Sequence, residues 1–223
     1  MEINVNGIRL YYEVVGEGSP LIMVHGNGED HTIFYEASEV LKKYFTVYLV
    51  DSRGHGKSEK VSEFHYQDMA DDMKEFIKKL NLTDVTYYGF SDGGIIGILL
   101  ASQTNLCKRY IVSGVNTQPG EIKLWLKLSI KGMYLFKKDP LMELMMKEPH
   151  ISDLELEKIH DEFILLAGSK DLILKRHTQH LHEVIAHSKM EIINGEDHGS
   201  YIVHNKDIAY FILKYCMIEN KME

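Results

Sequence analysis

Tyr87-Tyr88-Gly89-Phe90-Ser91-Asp92-Gly93-Gly94-Ile95-Ile96 sets a serine into the pattern G-x-S-x-G, between a run of β-forming side chains and an apolar run of helical character. A chain that turns so abruptly from strand into helix leaves the residue at the bend standing proud of the sheet. The flanking positions must then lack side chains, because strand and helix approach closely there. Gly89 and Gly93 occupy those positions, which makes Ser91 a candidate nucleophile at a strand-to-helix elbow. The pattern is short, so the surrounding sequence decides its meaning.

On the N-terminal side, Ile3 to Val15 alternates about Asn6-Gly7 and predicts a β-hairpin at an antiparallel edge. Short apolar runs bounded by turn residues follow at Leu21–Val24, Thr46–Val50, Val85–Tyr88, Tyr110–Val112, Phe163–Ala167 and Met190–Ile193. Their continuous hydrophobicity is that of parallel strands buried on both faces. Helical patterns lie between most of them, at Tyr35–Tyr44, Tyr66–Leu80, Gly94–Thr104 and Lys175–His187. Strand-helix alternation of this kind predicts an α/β fold with a mostly parallel sheet flanked by helices.

One interval breaks the alternation. From Gln118 to about Glu162 there is no good strand, and Trp125, Met133, Tyr134, Phe136, Leu141, Met142, Leu144, Met145 and Met146 are concentrated there. We read residues 118–162 as a helical insertion. Its methionines and aromatics serve equally well as the insertion's own core or as an adaptable apolar wall over a site.

A length of 223 residues with 44% hydrophobic and 26% charged side chains suits one globular domain with a sizeable core. The net charge of -8 argues against a nucleic-acid or anionic-membrane partner. With no apolar leader after Met1 and no uncharged run of spanning length, the expectation is a soluble cytoplasmic protein. Cys107 and Cys216 lie among apolar neighbours and read as reduced core thiols.

Three further segments carry chemistry. His25-Gly26-Asn27-Gly28 ends a strand in a glycine-rich loop whose backbone can approach a reacting oxygen, so the N–H groups of Asn27 and Asp92 are candidate oxyanion donors. The Asp92 carboxylate suits the N-terminus of the elbow helix but would oppose a nearby oxyanion, so it is expected to point away from the pocket. Phe163 to Asp171 is an apolar strand ending in a turn with a carboxylate, and Met190 to Gly199 is another, leading to a histidine in a glycine-flanked loop. A serine hydroxyl becomes nucleophilic when an imidazole takes its proton, and that imidazole needs a carboxylate to hold its tautomer. Ser91, Asp171 and His198 are the candidate catalytic residues. Of the other histidines, His177, His180, His182 and His187 fall on one predicted helix and read as a solvated face, with no partner spacing for a metal. His31, His65, His150 and His160 lie in turns or polar flanks, and His204 is the rival to His198 as base.

Taken together, His25 to Gly28, Asp51-Ser52-Arg53-Gly54-His55-Gly56-Lys57-Ser58, Gly89 to Gly94, Gly168-Ser169-Lys170-Asp171 and Asp197-His198-Gly199 resemble the motifs of the α/β-hydrolase fold, almost from end to end of the chain. The order Ser91, Asp171, His198 is that of its triad. The resemblance implies an architectural role for Asp51 to Ser58, with no catalytic part for Arg53 or His55. It also implies that residues 1–117 and 163–223 form the core and 118–162 a short cap after the sixth strand. The expected activity is a serine hydrolase cleaving a carboxylic ester, thioester or related small, partly apolar acyl compound through an acyl-enzyme. It would need no metal and no organic cofactor. The alternatives are a carbon-carbon bond hydrolase or lyase of the same fold, or a non-catalytic ligand-binding member. Phe90, Trp125 and Tyr201 are candidate substrate-binding walls.

Overall fold

The computed structural model describes residues 1–217; the last six residues assigned to the core from sequence, 218–223, lie outside them. The opening hairpin pairs β1 (Glu2–Val5) with β2 (Ile8–Val15) through a turn in which Asn6 and Gly7 both take positive φ, 45° and 81°. That is the conformation an Asn-Gly pair adopts at low cost. Next come β3 (Ser19–Val24), a 3₁₀ turn (His31–Phe34), α1 (Tyr35–Leu41), β4 (Phe45–Val50), α2 (Tyr66–Lys79), β5 (Val85–Phe90), α3 (Asp92–Gln103) and β6 (Cys107–Ser113). Three helices then intervene, α4 (Leu124–Lys137), α5 (Pro140–Lys147) and α6 (Asp153–Leu156). The chain re-enters the sheet with β7 (Glu162–Gly168), α7 (Lys175–Val184), β8 (Lys189–Ile193) and α8 (Asp207–Met217).

The eight strands form one sheet in the order β1-β2-β4-β3-β5-β6-β7-β8, with β1 and β2 antiparallel and every pairing from β4 to β8 parallel. Successive side chains of a strand face opposite ways. Ile22 and Val24 therefore join the core under α2, α3, α6 and α7, while Leu21 and Met23 join the core under α1 and α8. Strand order reverses at β3, which has β4 on one side and β5 on the other. Such a reversal opens a crevice at the carboxyl ends of the strands. The loops after β3, β5, β6, β7 and β8 all leave from that edge.

Every strand and helix read from the sequence is present, with shifted ends. Helix α7 stops at Val184, so His187 lies beyond it in a left-handed conformation, φ 60°. His177 is a correction. It is buried, not solvated, and its Nε2 accepts the Thr117 N–H at 3.0 Å, while burial pushes its pKa down to about 4. One turn of α7 presents His177, Thr178 and Leu181 to the protein, and apolar periodicity alone did not count a histidine among them. His31 is likewise buried, between Asp51 at 2.7 Å and Glu13 at 3.1 Å.

The elbow depends on missing side chains. A Cβ on Gly93 would stand 2.1 Å from the Val24 carbonyl oxygen, and one on Gly89 would stand 2.2 Å from that of Gly93. Backbone cannot retreat as a flexible side chain can. Gly93→Ala should therefore cost about 1–3 kcal/mol of stability, whereas Gly120→Ala, where an added Cβ meets nothing within 4 Å, should stay within about 0.5 kcal/mol of the parent; denaturant midpoints measure both.

Candidate active site

Ser91 sits between β5 and α3 with φ 51° and ψ -112°, a conformation L-residues rarely adopt, and its N–H donates to the Ser113 carbonyl at 2.9 Å. Strain of this kind persists only where surrounding structure imposes it. Here the Gly93 N–H holds the His25 carbonyl at 3.0 Å and binds the elbow to the loop after β3.

His198 reaches Ser91 from the loop after β8, with Nε2 3.2 Å from Oγ. Its Nδ1 lies 2.7 Å from Asp171 Oδ1. The Asp171 carboxylate is buried after β7 and also accepts the Ile173 N–H at 2.9 Å and the Gly168 N–H at 3.3 Å. The histidine loop is shaped by Asp197, whose Oδ1 accepts the N–H groups of Gly199 and Ser200; these bonds hold its carboxyl below the ordinary value. Room for the imidazole comes from Gly114, where an added Cβ would lie 2.7 Å from the ring. His204, the rival, is exposed beside Glu36.

The loop after β3 presents the Asn27 N–H, and the Asp92 N–H is the first of α3, unpaired by helix geometry. The Asp51 to Ser58 turn braces this loop. His25 Nε2 accepts the Ser52 N–H at 3.1 Å, which leaves Nδ1 to donate to the Gly26 carbonyl at 2.8 Å. His55 Nε2 accepts the Gly28 N–H at 3.2 Å. Burial, with His55 close by, lowers the His25 pKa to about 4 and keeps the ring neutral for this task. Arg53 forms a two-pronged pair with Asp72, both bonds 2.7 Å. Among the described residues Asp30, His31 and Asp51 bring ligand-type atoms together, but Asp51 and Glu13 already engage both His31 ring nitrogens.

Asp92 departs from the expectation. Its carboxyl lines the Ser91 cavity, held by the Tyr66 hydroxyl at 2.8 Å and the Asn27 side-chain amide at 2.9 Å. These two donors outweigh the repulsion that would turn it outward. Burial pushes its pKa above the ordinary 3.8, against those same bonds. Glu29, which accepts the Gly26 N–H at 3.0 Å, is raised by burial too.

The cavity above Ser91 encloses about 50 Å³, with Asn116, Ile122, Leu126, Met145, Leu172 and Ile173 among its walls. The expected walls lie elsewhere. Phe90 is buried behind His198, ring centroids 5.0 Å apart, Tyr201 packs on Phe211, and Trp125 is 60% exposed on the outer side of α4. Tyr66, Gly114 and Asn116 escaped the sequence reading because no motif marks them. The methionines divide between roles, since Met142, Met145 and Met146 pack with Ile122, Ile130 and Ile173 while Met145 also faces the cavity.

Comparison with known proteins agrees with this architecture. The family model for the alpha/beta hydrolase fold matches residues 19–140, over half of the chain. The chain belongs to the α/β-hydrolase fold family. Over 93 residues, 41% of its length, it is 40% identical to the AB hydrolase superfamily protein YisY of Bacillus subtilis, of which that stretch is 35%. It spans only 39% and 42% of two further curated relatives. Among solved structures it is similar to an esterase from Exiguobacterium antarcticum, with TM-score 0.82 and 22% identity over 96% of this chain and 98% of that one. It is also similar to a meta-cleavage product hydrolase from Pseudomonas fluorescens IP01, with TM-score 0.79 and 17% identity over 100% and 98%. At those identities the likeness is one of fold.

The raised Asp92 pKa carries a sign. Below pH 3.8 the acid is protonated in folded and unfolded chains alike; as pH rises through the higher folded value, ionisation favours unfolding. Asp92→Asn lacks that titration. The variant should gain stability relative to wild type across this window and hold the gain above it, read from denaturant midpoints at a series of pH values.

Proposed function

We propose that this protein is a serine hydrolase that cleaves a carboxylic ester, thioester or related small acyl compound through an acyl-enzyme. The observation that carries this reading is the continuous relay from Ser91 Oγ to His198 Nε2 at 3.2 Å and from His198 Nδ1 to Asp171 at 2.7 Å. His198 takes the Ser91 proton as Oγ attacks the acyl carbon, and Asp171 holds the ring with Nε2 unprotonated and stabilises the imidazolium that forms. The N–H groups of Asn27 and Asp92 receive the oxyanion. As the tetrahedral intermediate collapses, His198 returns the proton to the leaving alcohol or thiol, leaving Ser91 acylated. Water, deprotonated by His198, then attacks the ester carbon; collapse releases the acid and restores the Ser91 hydroxyl.

The walls support an apolar acyl group without a carboxylate near the scissile bond. Ile122, Leu126, Met145, Leu172 and Ile173 supply the apolar surface, and the charged residues lining the cavity are Asp92 and Glu148, with no lysine or arginine beside them. A substrate carboxylate would be repelled there. In this reading the three helices between β6 and β7 act as a cap that contributes Leu126 and Met145 to the site.

Ser91→Ala should lower p-nitrophenyl ester hydrolysis by at least about 10³-fold while leaving the denaturant midpoint close to wild type. Short acyl chains should be preferred over long ones in solution, in keeping with a cavity of about 50 Å³. Ester hydrolysis retained in the alanine variant would refute the nucleophile. A folded wild type that neither turns over esters nor reacts with a fluorophosphonate at Ser91 would favour a ligand-binding member; labelling without ester turnover would favour carbon-carbon bond cleavage.

A further inference from the structure

The face of α4 turned away from the protein is strongly apolar. Leu124, Trp125, Leu128, Leu135 and Phe136 are 60–90% exposed. At 100° per residue they fall within an arc of about 120°. The opposite side of the helix is anchored, with Ile130 buried and Leu126 packed beside it. Both sides of one helix therefore carry hydrophobic surface, and only one is covered.

Charge says what would cover the other. The chain totals -8, yet residues 122–138 hold five lysines and no carboxylate. Lys127 and Lys131 border the apolar arc, Lys137 stands further round, and none of the three makes an ion pair among the described residues. A helix with tryptophan, phenylalanine and leucine on one face and flanking lysines suits a lipid-water interface. Its apolar face enters the acyl-chain boundary while the amines reach headgroup phosphates. An antiparallel second copy of the same helix would bring these lysines along one edge, against their own kind.

We propose that α4 docks this protein on an anionic phospholipid surface, lying in the plane of the interface with Trp125 and Phe136 inserted. This runs against the expectation drawn from net charge, because the total conceals a local reversal of sign. Docking is compatible with the absence, among the described residues, of any helix long and apolar enough to cross a membrane. It does not depend on the acyl-hydrolase reading. Beneath Lys127 and Lys131 lies an apolar cavity of about 170 Å³, walled by Ile130, Met146, Ile122 and Met145. The last two residues also line the Ser91 cavity.

Trp125 is the sole tryptophan, so its fluorescence reports directly on this face. With vesicles of mixed phosphatidylglycerol and phosphatidylcholine, the full chain should co-sediment and its emission should shift to the blue. Pure phosphatidylcholine should give neither effect, and added salt should weaken both. Leu128→Glu with Phe136→Glu should reduce partition on the order of tenfold or more, while turnover of a soluble p-nitrophenyl ester stays at the wild-type level. Ser91→Ala should bind vesicles as wild type does, which separates docking from catalysis. No binding to anionic vesicles, equal binding to neutral ones, or undiminished binding by the double variant would each overturn the proposal. So would a dimer that the double variant dissociates in a protein that ignores vesicles.

Discussion

The arrangement of this protein depends on one backbone contact, where the first turn of α3 meets the end of β3. Gly93 N–H holds the His25 carbonyl at 3.0 Å, and the space a Cβ would fill is taken by the Val24 carbonyl. Because α3 is pressed against the neighbouring strand, the chain between β5 and α3 must bend within a single residue, and Ser91 accepts a positive φ as the cost. The same contact places the loop after β3 beside the serine. Ser91 and the loop that carries Asn27 are thus positioned by one steric constraint and not by separate devices.

Around this contact the protein assembles a polar layer in which nearly every buried charge has a partner. His25 and His55 brace the loop after β3 against the turn after β4, Arg53 is clamped by Asp72, and Asp171 is held by backbone N–H groups as well as by His198. Such bonds are needed because an unpaired buried polar group is expensive. Asp92 extends the layer across the site by linking the Asn27 loop to Tyr66, whose own N–H meets Glu148 from the helical segment at 3.1 Å. That chain of bonds ties the helices between β6 and β7 to the elbow.

The helical segment obeys different rules from the sheet domain. Its core is small, built from Ile122, Ile130 and Ile173 with methionines around them, and much of its apolar surface is left uncovered. A sheet covered on both faces has little freedom to leave strand residues exposed. The three helices between β6 and β7 have that freedom, and here α4 leaves apolar residues beside a cluster of lysines.

The amino-acid sequence by itself determined the alternation of strands and helices, the Asn6-Gly7 hairpin and the elbow about Ser91. Each of these is a local matter of periodicity, turn chemistry or a glycine that a close approach requires. The tertiary structure alone decided the rest. Tyr66 and Asn116 reach the cavity from elements distant in sequence, Asp92 turns inward because Tyr66 and Asn27 meet it there, and His177 is buried because Thr117 offers its N–H. Trp125 and Tyr201 show the same limit from the other side, since an aromatic residue near the site in sequence ended on an outer face in one case and in the core in the other. Hydrophobic periodicity reports that a face is apolar; which neighbour covers it, and whether a polar group finds a partner, is settled by the packing of chain segments far apart in sequence.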